Sequence, residues 1–164
     1  MAEIIARNGN ELTIQVTIKL IGSLMEMENS ILDSGNEVGC LATTEALQKF
    51  DTDGSPIKLG ETKMTARAKD NKTYQTPYGS VQLERYGYQT SKGGESYCPL
   101  EQNARIIQGA TPKFAQQISP KYSNMNAPAV CRDLQENHHR NIAHSYLQDV
   151  SDWVGSIAQA QEAL

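Results

Sequence analysis

The sequence predicts an α+β protein, and three observations carry that expectation. Residues 11–20 alternate apolar and polar side chains without a break, as a half-buried strand does. Residues 62–100 are rich in tyrosine and threonine around Pro and Gly turns, as a β-hairpin is. From Thr111 onward, apolar residues recur three and four apart in three successive blocks, as helices require. The expected layout is an N-terminal strand and long helix over 1–50, a basic β-hairpin module over 51–103, and a unit of three helices over 104–164.

In the first block, Leu12, Ile14, Val16, Ile18 and Leu20 face one way, and Thr13, Gln15, Thr17 and Lys19 the other. Gly22 ends the strand. Ser23 and Glu26 form a Ser-x-x-Glu capping box, in which each side chain satisfies the other's free N–H. The helix they start is expected to run to about Phe50, with Leu24, Met27, Ile31, Val38, Leu41 and Leu47 as its apolar stripe. That stripe reads as a core face or as a dimer seam, and clean heptads for a seam are missing. Gly35 and Gly39 each cost about 1 kcal/mol against Ala inside a helix, so they mark a bend or a close contact.

Asp51 to Gly60 is a turn-rich joint whose Asp-Thr-Asp-Gly fits the middle of a calcium loop. With Gly54 at the loop's glycine position, Lys49 and Gly60 fall where its terminal acidic ligands belong, so a tight turn is the better account. Strands over 72–76 and 80–89 then flank Pro77-Tyr78-Gly79, and Gly93-Gly94 makes a second turn before a strand over 96–100. Tyr74, Tyr78, Tyr86, Tyr88 and Tyr97 interleave with Lys63, Arg67, Lys69, Lys72, Arg85 and Lys92. Such a hairpin suits a phosphate backbone or stacked bases. It is equally the composition of a small sheet covered by tyrosines with its lysines in water.

In the tail, Thr111-Pro112 offers a hydroxyl cap and an N1 proline, and Phe114, Ala115 and Ile118 share a face. Asn126 caps a second helix carrying Val130 and Leu134. His138-His139-Arg140-Asn141 breaks the pattern, and Asn141 is expected to cap a third helix bearing Ile142, Tyr146, Leu147, Val150, Val154 and Ile157. Two helices across a short polar turn, with a third before them, have the layout of a helix-turn-helix, although most such pairs are only packing units.

Charge is unevenly spread. Residues 1–61 hold 4 Lys/Arg against 10 Asp/Glu, residues 62–92 hold 6 against 2, and residues 104–164 hold 5 against 5, within a net charge of −4. Any phosphate attraction therefore belongs to the hairpin rather than to the tail. No apolar run is long enough to span a membrane and no secretory leader opens the chain, so the cytoplasm and no membrane partner are expected. The 3 cysteines, Cys40, Cys98 and Cys131, are scattered and imply no disulfide framework. His138, His139 and His144 cluster, but no carboxylate or thiol completes a metal shell around them. No nucleophile elbow, phosphate-cradling loop or dinucleotide fingerprint occurs.

Several long phrases resemble the N-terminal part of ISKra-type insertion-sequence transposases, especially cyanobacterial ones. They are Lys-Leu-Gly-Glu-Thr-Lys (58–63), Tyr-Gln-Thr-Pro-Tyr-Gly-Ser-Val-Gln-Leu-Glu-Arg-Tyr (74–86), Tyr-Gln-Thr-Ser-Lys-Gly-Gly (88–94), Tyr-Cys-Pro-Leu-Glu (97–101), Ala-Arg-Ile-Ile (104–107), Asp-Leu-Gln-Glu-Asn-His (133–138) and Tyr-Leu-Gln-Asp-Val (146–150). The resemblance runs from about Leu12 to the end. It implies a mobile-element protein of DNA recombination and transposition that binds its element's ends, with catalysis by a C-terminal RNase-H-like core holding metal ions on three acidic residues. The chain stops at Leu164 within a helical pattern, so a truncated product without that core, and no enzyme by itself, is expected. No residue here is carried over as catalytic, and no cofactor is implied. Related transposases carry a zinc-ribbon-like module with two Cys-x-x-Cys-Gly knuckles. Here the matching turns are Phe50-Asp-Thr-Asp-Gly54 and Thr90-Ser-Lys-Gly-Gly94, without thiolates, so the hairpin is expected to lack zinc.

The expected partner is double-stranded DNA at transposon ends, with a homodimer or the full-length transposase as a protein partner. The expected DNA contacts are Lys63, Arg67, Lys72, Arg85 and Lys92 on the hairpin, and Lys121, Arg132 and Arg140 near phosphates. Asn141, His144, Ser145 and Gln148 are placed at base edges, since Asn and Gln can pair bidentately with adenine. The alternative is a protein-interaction module, in which the long helix pairs subunits and the tail only packs.

Overall fold

The Ser23 capping box forms: Glu26 N donates to Ser23 Oγ at 3.2 Å, and Ser23 N donates to Glu26 Oε2 at 2.6 Å. It starts α1, Leu24–Gln48. The structure, a computed structural model, describes residues 1–162, leaving out the side chains of 122, 123 and 159–162. The expected break at Leu164 lies outside the described residues.

Ahead of α1 stand two strands rather than one. β1 (Ala2–Asn8) pairs antiparallel with β2 (Glu11–Val16), Ala2 opposite Val16. β1 alternates in burial through Ile5, which is exposed, and its register with β2 shifts between Ile4 and Ala6 at a bulge. The expected strand stops at Val16, and Ile18, Leu20 and Ile21 are exposed. Leu24 and Ile31 are also exposed, at 69% and 48%, which removes them from the expected core stripe; of α1 only Leu47 is fully buried.

The middle of the chain forms one antiparallel sheet of order β3-β4-β5-β6, made of Ile57–Leu59, Thr62–Gln75, Ser80–Thr90 and Gly93–Tyr97. The strand expected over 96–100 gives way to helix α2, Pro99–Asn103, because Pro99 cannot donate to a ladder and suits a helix's first turn. The inner face carries Tyr74, Val81 and Leu83, which pack with Leu47 of α1 and Leu100 of α2. This core crosses residue 50, where the sequence places a module boundary.

The tail folds into α3 (Pro112–Asn124), α4 (Ala127–His138) and α5 (His144–Glu162). Phe114, Ile118, Val130, Leu134, Leu147 and Val150 make its separate core. Asn126 caps α4, its side chain accepting from Ala129 N at 2.9 Å. Two expected caps do not form. Thr111 makes no side-chain cap; its hydroxyl is buried without a partner, while its N–H donates to Gln75 O at 2.9 Å. Asn141 sits in the turn, three residues before α5, because Arg140 and Ile142 on either side of it are both buried. Among the described residues, no helix is long and apolar enough to cross a membrane.

The turn between β4 and β5 is where these parts meet. A Cβ at Gly39 of α1 would overlap the Tyr78 ring, and one at Gly79 would lie 2.6 Å from Cys40 Sγ. The two helix glycines therefore do different work, since nothing lies within 4 Å of a Cβ at Gly35. Gly35→Ala should stabilise the protein by about 0.5–1 kcal/mol through helix propensity and a less flexible unfolded chain. Gly39→Ala should destabilise it by about 1–3 kcal/mol through overpacking. Thermal unfolding of the two variants should shift in opposite directions.

Candidate nucleic-acid interface

Strand register decides which hairpin cations face outward. Tyr74 pairs with Val81 and Lys72 with Leu83, so Lys72 shares the inner face; Asp70, opposite Arg85, follows two residues on. Lys69 falls on the opposite face, its Nζ 5.1 Å above the Tyr86 ring centroid, and Lys63, beyond the Ala66–Ala68 bulge, is exposed near the start of β4. Arg67 occupies the bulge between Ala66 and Ala68 and donates to Thr90 O at 3.3 Å. Lys92 is exposed in the following turn, and Lys58, absent from the expected contacts, pairs across from Lys63. Antiparallel pairing thus gathers Lys58, Lys63, Arg67 and Lys92 toward one end of the sheet.

Lys72 and Arg85 correct the expectation of a single basic surface. Both sit on the inner side around Glu101 of α2. Lys72 Nζ lies 2.9 Å from Glu101 Oε1 and Arg85 NH2 3.6 Å from it. Tyr74 donates its hydroxyl to the same oxygen at 2.7 Å and accepts from Arg85 Nε at 3.0 Å. Burial alone would raise the Glu101 carboxyl, but the hydrogen bonds from Tyr74 and Lys72 outweigh it and hold the group below its ordinary range. Burial and Glu101 push the Tyr74 phenol up. Tyr74 and Tyr88 are fully buried, so neither ring is a stacking platform for bases.

In the tail, Lys121 and Arg140 are likewise committed inside the protein. Lys121 is bound to Asp133 and lies 3.2 Å from His138 Nε2. Burial and the Lys121 charge lower the His138 pKa. Arg140 is 5% exposed, donates to Thr76 O and Gln75 Oε1, and stacks 4.8 Å over the Phe114 ring. A guanidinium with its donors spent this way is not a phosphate contact. The sequence misses it because a charged residue in a polar turn ordinarily lies in water.

Arg132, Asn141, His144, Ser145 and Gln148 are exposed. His144, Ser145 and Gln148 lie on the first turns of α5, whose Leu147 and Val150 are buried against α3 and α4. Asp149 and Asp152 are exposed further along the same helix. The turn before α5 is held by two residues of α1. His139 adopts a left-handed φ of 52° and its ring contacts Asp33 of α1, while Asn36 Nδ2 donates to His138 O at 3.1 Å. Among the described residues, no three His, Cys, Asp or Glu converge as metal ligands.

The arrangement can do two kinds of chemistry. The sheet end offers point charges suited to phosphate oxygens, and the α5 start offers hydroxyl, imidazole and amide groups suited to hydrogen-bond readout. No family model, curated protein or solved structure matches the chain.

The Glu101 cluster predicts a pH dependence. Its carboxyl is held below the ordinary value of 4.5, so its stabilisation is present above that value and lost as pH falls through the lower folded-state value. Glu101→Gln should cost about 1–3 kcal/mol at neutral pH. It should also lose less further stability than the unaltered protein between about pH 5 and pH 3. Denaturant unfolding across that range checks both.

Proposed function

We propose that this chain is the DNA-binding N-terminal part of an insertion-sequence transposase, engaging double-stranded DNA at element ends without catalysis of its own. The observation that carries this is the exposed polar start of α5. His144, Ser145 and Gln148 stand clear of the core that fixes the helix, next to the exposed Asn141 of the turn. A helix supported on its apolar side and presenting such groups at its N-terminal turns fits a helix-turn-helix docked in the major groove.

The sheet supports the same reading through its charge. Lys58, Lys63, Arg67 and Lys92 are exposed and would hold backbone phosphates, while α5 would carry the sequence discrimination. The hairpin also supports kinship with a ribbon that has lost its metal. Tyr88 donates to Ser55 O at 2.8 Å and its hydroxyl meets Thr52 Oγ1 at 2.6 Å, so hydrogen bonds tether the 50–54 loop to the hairpin. Bound at element ends, the chain would compete with the full-length transposase.

Fluorescence anisotropy with a labelled terminal-repeat duplex and a random duplex tests the proposal. Four phosphate contacts give a log–log salt slope of roughly −3 to −4. Replacing Lys63, Arg67 and Lys92 together by Gln should flatten the slope toward about −1 and weaken both duplexes alike. His144→Ala with Gln148→Ala should cut only the preference for the terminal repeat, by about 1–3 kcal/mol. Equal, salt-insensitive or absent binding of the two duplexes would remove the proposal.

A second reading, pairing of two copies through α1, is favoured by one observation. Leu20, Ile21, Leu24, Met25 and Ile31 are exposed along the approach to α1 and its first turns. Sedimentation should then give a dimer at micromolar concentration that Leu24→Glu with Ile31→Glu returns to monomer. A monomer at all concentrations excludes this reading and leaves the DNA proposal untouched.

A further inference from the structure

The cleft between β4 and the start of α5 contains donors that neither the fold nor the proposed interface uses. It measures about 460 Å³ and opens to solvent, and Lys72, Thr73, Gln75, Glu101, Gln108 and Tyr146 line it. Donors and acceptors are unequal in it. Its one carboxylate, Glu101, already receives Tyr74 and Lys72 on Oε1. Lys72 has three N–H groups, and that bridge uses one of them. Gln75 accepts on Oε1 from Arg140 and Ser80, which leaves its NH2 as the end available to the cleft.

Tyr146 is the more telling group. Its hydroxyl is shielded from solvent and has no hydrogen-bond partner, an uncommon and costly condition. Burial pushes the phenol up to about 12, so at neutral pH it remains a donor. Gly109, with φ of 78° and no side chain, adjoins it; a Cβ there would lie 3.9 Å from the hydroxyl. Behind Tyr146 lies Arg140, a buried cation with neutral partners only, whose field reaches the phenol. A cleft whose Lys72, Gln75 and Tyr146 donors are not all used, lying in the field of the buried Arg140, favours an anion with several acceptor oxygens.

We propose that this cleft seats a phosphate group, held by the Lys72 ammonium and the Gln75 amide with the Tyr146 hydroxyl at its floor. Two sources share this chemistry: a phosphodiester of bound duplex and free inorganic phosphate. The first rests on the DNA-binding proposal and would add a phosphate contact between the hairpin and α5. The second is independent of it.

NMR titration of the full chain, first with inorganic phosphate and then with the terminal-repeat duplex, tests the inference on the unaltered protein, Tyr146→Phe and Lys72→Gln. Tyr146→Phe keeps the ring and removes only the unpartnered hydroxyl, so its melting temperature should hold or rise, which guards against misfolding as an explanation. Phosphate should move the amide signals of Gln108, Gly109 and Tyr146, and Tyr146→Phe should weaken that binding by about 5-fold. Lys72→Gln should weaken it further. If the duplex binds the unaltered protein and both variants equally and phosphate moves nothing in the cleft, the inference fails while the DNA proposal stands. If phosphate binds the cleft and no duplex binds, the inference stands with free phosphate as ligand and the DNA proposal fails. If neither ligand moves the cleft signals, the inference is overturned.

Discussion

The buried guanidinium of Arg140 is the interaction on which the arrangement of the parts depends. It leaves the α4–α5 turn, crosses the Phe114 ring, and ends on Thr76 O and the Gln75 side chain in the β4–β5 turn. That same turn carries Tyr78 and Gly79, which abut Gly39 and Cys40 of α1. One side chain thereby ties the three-helix unit to the sheet at the point where the long helix also touches it. Burying a cation with no carboxylate beside it is costly, and burial lowers its pKa. Directed carbonyl acceptors and an aromatic face offset that cost in a way no apolar residue could match for direction. A shift in how the tail sits on the sheet would leave the charge buried and unsatisfied, so the contact favours one docking over its neighbours.

Backbone bonds reinforce the same seam. Gln75 N donates to Gly109 O at 2.8 Å and Thr111 N to Gln75 O at 2.9 Å, so the chain entering α3 adds briefly to the end of β4. Residues 107–110 make this approach possible. Ile107 and Ala110 exchange both backbone hydrogen bonds around Gln108 and Gly109, each with positive φ, at 52° and 78°. That is the geometry of a tight two-residue hairpin turn, and the glycine accommodates it without strain. Since α3 starts at once after it, the turn also sets where the three helices begin.

The local signals proved legible where one element needed only its own residues. The Ser23 capping box, the Pro77–Gly79 turn, the Asn126 cap and the faces bearing Ile118, Leu134, Leu147 and Val150 all follow from spacing within a few positions. What spacing does not carry is which neighbour an element meets. β1 escaped because Ile4 and Ile5 are adjacent in sequence, so no apolar–polar alternation marks it, and its pairing with β2 appears only in the fold. The α1 stripe read as core because apolar residues recur along it, yet neither the two-stranded sheet nor the α4–α5 turn, which its N-terminal half meets, covers Leu24 and Ile31. The cations misled most. Lys72, Arg85, Lys121 and Arg140 look like Lys63 and Lys92 in sequence, and they differ through partners that are 11 or more residues away.

That division among the cations gives the sheet two electrostatic sides. On the inner side Glu101 gathers Lys72 and Arg85 with Tyr74, so charge there organises the packing of α2 on β4 and β5. Lys69 on the outer face, and Lys58, Lys63 and Lys92 toward the strand ends, remain in water. Only the second group can exchange counterions for phosphate without dismantling a core, because an exposed lysine loses little on changing partner whereas a buried one must first leave its own. Lys72 stands between the two cases: its side chain is 43% exposed although it is bridged to Glu101. A cation that is both anchored and wet can take an additional anion while keeping its internal bond. The boundary between the structural and the available charges of this protein therefore runs through that one residue, at the mouth of the cleft facing α5.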